Sequence, residues 1–183
     1  MHSPVHTSDT APDASKPILR HVRKACGFAP NILGVLAESP PALSAYVHIE
    51  QRLRSEGALS TREQQIVMLT VSAANQCAYG IAAHSVSAER AKVAPAVITV
   101  LREGGVPADE RESALVRFTR TLIEHRGRIS EADQRAFLAA GFVPRHGLDI
   151  LAILAMQTLS NYANHLIDPP LDEAFAARRW RPR

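Results

Sequence analysis

The sequence predicts an all-α fold, and three observations carry that prediction. Apolar residues recur at steps of three and four, as in Leu43, Tyr46, Val47, Ile49 and Leu53, the spacing that lines one face of a helix. Residues that start and stop helices stand at the edges of those stretches. No segment sustains a two-residue alternation bounded by turn residues, so no sheet is expected.

Residues 1–15 are rich in Ser, Thr, Pro, Asp and Ala and lack a hydrophobic period, which predicts a disordered leader. A first helix is expected over 17–26, stopped by Gly27, which suits the left-handed position after a helix end. Pro30 stands near the start of "PNILGVLAES", and the stripe that follows in "PPALSAYVHIEQRLRSEG" ends at Gly57. "STRE" at 60–63 has the form of a capping box and opens the next helix. Asn75 is placed to cap the one after it, so "CAYGIAAHSVSAERAK" is expected to begin almost at Cys77. Further helices are expected over 94–103, 108–126, 131–140 behind Ser130 and Asp133, and 145–166. A short terminal helix is expected in "LDEAFAAR". The organisation is thus a leader over 1–15, one helical domain over 16–178, and a basic tail over 179–183.

A chain of 183 residues with 46% hydrophobic and 21% charged content suits one core. The net charge of +3 comes without basic runs interleaved with aromatics, so no nucleic-acid partner is expected. Cys26 and Cys77 are too few for a disulfide framework or a four-ligand zinc site, which points to a reducing, cytoplasmic compartment. The N-terminus has no signal-peptide pattern, and the longest strongly apolar stretch, 150–156, is far short of a membrane span. No membrane association and no cofactor are expected.

Chemistry is concentrated between residues 59 and 84. On a helix, positions 77, 80, 81 and 84 share a face, with Cys77 and His84 about 10 Å apart along the axis at 1.5 Å per residue. Position 80 lies one turn from each and is Gly80, which offers space and no side chain. Cys77 stands in the first turn, where unpaired amides and the helix dipole favour a thiolate. Alternatively it is a small buried hydrophobe. His84 is read either as a proton-transfer group or as a histidine bonded to a backbone carbonyl. Tyr79 is a pocket candidate or a packing ring. Near the C-terminus Gln157, Asn161, Asn164 and His165 form a polar stripe, which must bond itself, a neighbouring helix or a ligand. A metal held by Cys77, His84 and His165 is set aside, because no two of them show a recognised ligand spacing. Cys26 either packs at a helix end or resolves an oxidised Cys77.

"LSTREQQIVMLTVSAANQCAYGIAAH" resembles the core motif of the alkylhydroperoxidase D-like branch of the carboxymuconolactone decarboxylase family. That motif is a glutamate, eleven residues, a cysteine, two residues, a cysteine, three residues and a histidine. "GFAPNILGVLAESPPALSAY" and "TLSNYANHLIDPPLDEAF" resemble the peroxidase-related subfamily. Position by position, the first cysteine is Cys77 and the histidine His84, while the second cysteine falls on Gly80 and the glutamate on Gln65. The resemblance implies an all-α, alkylhydroperoxidase D-like oligomer (trimer, dimer or hexamer) with peroxiredoxin-type antioxidant activity. The two departures each remove redox or acid–base chemistry.

Three functions follow. In the first, a Cys77 thiolate attacks a peroxide, His84 or His165 supplies the proton, and an external thiol reductant closes the cycle, with Gln65, Tyr79, Gly80, Asn161 and His165 as pocket residues. In the second, resembling the lactone decarboxylase branch, a histidine moves protons on a small carbonyl substrate. In the third, the chain is a non-catalytic binder holding a small ligand in the gap at Gly80. Restoring the motif with Gly80→Cys and Gln65→Glu is expected to create a thiol pair, and to gain roughly 0.5 kcal/mol of helix propensity if position 80 is not packed against another helix.

Overall fold

The computed structural model describes residues 3–181 and is all-α: among them are nine α-helices, one 3₁₀ segment and no strand. The helices are α1 (Lys16–Cys26), α2 (Asn31–Leu36), α3 (Pro40–Glu56), α4 (Thr61–Ala74), α5 (Ala78–Arg90), α6 (Pro95–Arg102), α7 (Glu110–Glu124), α8 (Glu131–Ala139) and α9 (Pro144–Ile167). The terminal "LDEAFAAR" helix is the 3₁₀ segment Glu173–Arg178. No single helix among the described residues is long and apolar enough to cross a membrane.

Helix α4 is the centre. Seven consecutive residues from Ile66 to Ser72 are buried, so this helix is surrounded on every side, as its all-round apolar sequence requires. It packs against α5, α7 and α9. Its start is the expected capping box: Ser60 Oγ accepts from Glu63 N at 3.3 Å, and Glu63 Oε2 accepts from Ser60 N at 2.8 Å. Around α4 lies the larger core cluster, which includes Leu69, Leu101, Leu115, Phe142 and Ile153. A second cluster gathers α1, α2 and α3 against Cys77, Tyr79 and Phe175. The two clusters meet along α5 and α9, and the candidate site sits on that seam.

The α4–α5 link differs from the expected one in a detail that matters for the site. Asn75 closes α4 instead of capping α5: its N–H bonds to Val71 O at 2.9 Å. Gln76 then takes a left-handed conformation at φ 52°, and Cys77 N bonds back to Ser72 O at 2.9 Å. This reverses the chain in two residues and makes Cys77 itself the N-cap of α5.

The leader also departs from expectation. Met1 and His2 lie outside the described residues, but 3–15 lie as turns and extended chain against α2. His6 N bonds to Gly34 O at 3.1 Å, Ser15 Oγ donates to Ala37 O at 2.7 Å, and Ala11 is buried. Gly34 explains the close approach, since a Cβ there would stand 2.6 Å from the His6 carbonyl oxygen and 2.8 Å from a Val5 methyl. A composition that lacks a helical period is here held by backbone hydrogen bonds to a helix with a glycine on its face. Of the expected basic tail, 182–183 lie outside the described residues.

Candidate active site

A cavity of about 480 Å³ opens on the seam between the clusters, a size typical of small-molecule sites. One wall is apolar, with Ile32, Leu33, Met68, Met156 and Phe175. The other is a row of neutral polar side chains from α4, α5 and α9.

His84 stands on that polar wall, one turn from Gly80 and two from Cys77 along α5. Its Nδ1 is 3.2 Å from Gln65 Oε1 and its Nε2 is 3.1 Å from Gln157 Oε1. Burial, the largest cause, pulls its pKa down to about 4, so the ring is a neutral imidazole near pH 7. A neutral imidazole donates from one nitrogen and accepts at the other. Turning the Gln157 amide completes the pairing: Nε2 of Gln157, which has no partner as it stands, would donate to the ring while Nδ1–H donates to Gln65. The side chain of Tyr46 also bonds Gln157, and Ser72 Oγ lies 3.5 Å from Gln157 Oε1 as it stands.

Cys77 is placed otherwise. It is fully buried, belongs to the second core cluster, and is not part of the cavity wall. Its Sγ accepts from Gly80 N at 3.3 Å, and the side chain of Asn164 also bonds it. Both contacts favour a thiolate, but burial outweighs them and pushes the thiol pKa above its ordinary value. Cys26 is exposed and sits on the cavity wall instead of packing at a helix end, and both cysteines are free thiols.

There is no empty gap at Gly80. A Cβ on this residue would stand 2.8 Å from Asn161 Oδ1, 2.8 Å from Ser72 Oγ and 3.1 Å from Ser72 Cβ, so α9 and α4 already occupy the space. Position 80 is therefore packed, and the expected gain in helix propensity from a side chain there does not apply. Tyr79 is on the wall but is tied down: its hydroxyl donates to Asp172 and accepts from Ile32 N at 3.3 Å. Asp172 in turn accepts from Asn31 N at 3.2 Å, clamping the C-terminal segment to the start of α2.

The polar stripe of α9 divides. Gln157, Asn161 and Asn164 are buried on the cavity wall. His165 is exposed beside Tyr162, with ring centroids 6.3 Å apart, and lies outside the cavity, so it cannot join Cys77 and His84 in proton transfer or metal binding. The direction of α9 explains this: residue 165 is one step past the buried 157–161–164 row. Tyr46 lines the cavity and Ser72 packs behind it against Gly80, and neither stands out as a site residue in the sequence. Gln157 had a signal, since it heads the stripe; Tyr46 and Ser72 read as ordinary helix residues.

Residues 40–121 match the carboxymuconolactone decarboxylase family. No curated protein is significantly similar to the chain. Among solved structures, a peroxidase-related protein with an alkylhydroperoxidase AhpD core from Ralstonia eutropha JMP134 has a TM-score of 0.82 and 26% identity, covering 100% of this chain and 97% of its own. A peroxidase-related protein from Silicibacter sp. TM1040 has a TM-score of 0.79 at 21% identity, covering 96% of this chain and 91% of its own. A cysteine-to-alanine variant of the debrominase Bmp8, in complex with 2,3,4-tribromopyrrole, has a TM-score of 0.76 at 18% identity, covering 97% and 96%. Residues 40–121 are thus similar to the carboxymuconolactone decarboxylase family, and the chain as a whole has the alkylhydroperoxidase D-like fold.

Proposed function

We propose that the chain acts on a small carbonyl compound by proton transfer through His84, without a thiol cycle. The observation that carries this reading is the division of the motif: His84 lines the cavity as a neutral imidazole held between Gln65 and Gln157, whereas Cys77 is sealed behind it with a raised pKa. A peroxide in the cavity meets no thiol from α5. A carbonyl compound that displaces the Gln157 amide meets a ring nitrogen already oriented by Gln65 as a proton acceptor.

The thiol reading keeps one specific support. Cys77 accepts the Gly80 N–H at a helix N-terminus, and a debrominase of similar fold is known as a cysteine-to-alanine variant in complex with 2,3,4-tribromopyrrole. Opening of the α4–α5 link would then have to expose the sulfur.

We also propose that copies of the chain assemble through α9, where Leu148 is 66% and Tyr162 59% exposed and Leu151 lies on the same face. The proton-transfer reading is tested by hydrogen–deuterium exchange at carbon next to the carbonyl of small ketones and lactones, followed by NMR. Exchange above the buffer rate should survive Cys77→Ala and fall about a hundredfold in His84→Gln. Exchange that survives His84→Gln, or an absence of exchange above the buffer rate with all compounds, would overturn the reading.

A further inference from the structure

Asn161 is wholly buried on the cavity wall, and neither end of its amide has a hydrogen-bond partner. Such an arrangement is rare, because an orphaned polar group costs about 1–3 kcal/mol. Gln157 can resolve its own orphan by turning toward His84; Asn161 cannot be resolved this way, since turning it exchanges one unpartnered atom for the other. Asn164 adds an unpartnered Oδ1 one turn along the same face.

We infer that the cavity takes a small uncharged molecule presenting a hydrogen-bond donor and acceptor side by side, the lactam or cyclic-imide class, with Asn161 as the residue that reads that edge. This rests on the small-molecule reading above. A carboxamide pairs in two bonds with an edge that offers one donor and one acceptor, the geometry by which asparagine reads adenine. A simple ketone or a lactone has no donor and leaves Asn161 Oδ1 unpartnered. A charged ligand fits worse still: Glu50 and Arg54 on the wall already pair at 2.5 Å, Arg90 is exposed, and the interior wall offers only neutral groups. An ion desolvated there would find no free counter-charge.

The test is an NMR titration of the unsubstituted protein with three probes of similar size: δ-valerolactam, cyclohexanone and cyclopentanecarboxylate. The lactam should bind at least tenfold more tightly than the ketone, and the carboxylate no better than the ketone. Asn161→Leu should remove the lactam's advantage over the ketone. The comparison of probes on the unsubstituted protein stands even if that variant does not fold. Equal binding of lactam and ketone, or tightest binding of the carboxylate, would overturn this inference while leaving a small-molecule cavity. Failure of all three probes to bind would overturn both.

Discussion

Asn161 stands where a side chain on residue 80 would begin: its Oδ1 lies 2.8 Å from the position of a Cβ on Gly80. The second cysteine of the motif is thus missing from a place that α9 and α4 have filled. Gly80→Cys should cost about 1–3 kcal/mol, the usual range for overpacking a core, and the Gln65→Glu partner change should not recover it. Thermal unfolding of the single and double variants measures this. An unchanged or raised melting temperature, with a new thiol pair that consumes peroxide, would show that Asn161 and Ser72 yield freely.

His84 should make stability depend on pH. Its folded pKa, about 4, lies below the ordinary 6.5, so between these values the unfolded chain binds the extra proton. Stability from this group is therefore complete above about pH 6.5 and declines as the pH falls toward 4, by up to about 3 kcal/mol at 1.4 kcal/mol per unit. Urea unfolding at pH 7 and pH 4.5 should show a smaller difference in His84→Gln than in the parent. Equal pH slopes would mean that the imidazole titrates freely.

Gly34 should be sensitive to a single methyl group. In Gly34→Ala the new Cβ would meet the backbone carbonyl of His6, an atom with little room to move, so the leader should lift from α2. Faster amide exchange at His6, with a loss of about 1–3 kcal/mol, is the expected outcome. Unchanged protection would mean that the leader is not held by this contact.

The exposed face of α9 carries the proposed assembly. Light scattering should give a mass that is a multiple of 19.9 kDa, and Leu148→Glu with Leu151→Glu should lower it. A monomer at micromolar concentration would contradict the assembly.

Most of the fold was legible because helix signals are local. Capping at Ser60, Gly27 after α1, and the stripe of α3 each need only a few neighbouring residues. Composition does not predict the order of the leader, because that order depends on Gly34, a contact between segments about thirty residues apart. Within the site, helical spacing sets Gly80 one turn from His84 on α5, but it does not show that Gln65 of α4 meets His84 instead of Cys77. What spacing could not say was that Cys77 faces the core side of α5 and His84 the cavity, or that His165 falls just beyond the buried row of α9. Those outcomes depend on how α4, α5 and α9 cross, which is a property of the assembled core.

The central claim is that the cavity works through His84 and that the Cys77 thiol is sealed from it. The most direct test is treatment of the folded protein with hydrogen peroxide and a dimedone-type sulfenate probe, read by mass spectrometry of the Cys77 peptide. Cys77 should give no adduct in the folded protein and be labelled only after denaturation. Rapid, stoichiometric labelling of Cys77 under native conditions would contradict it.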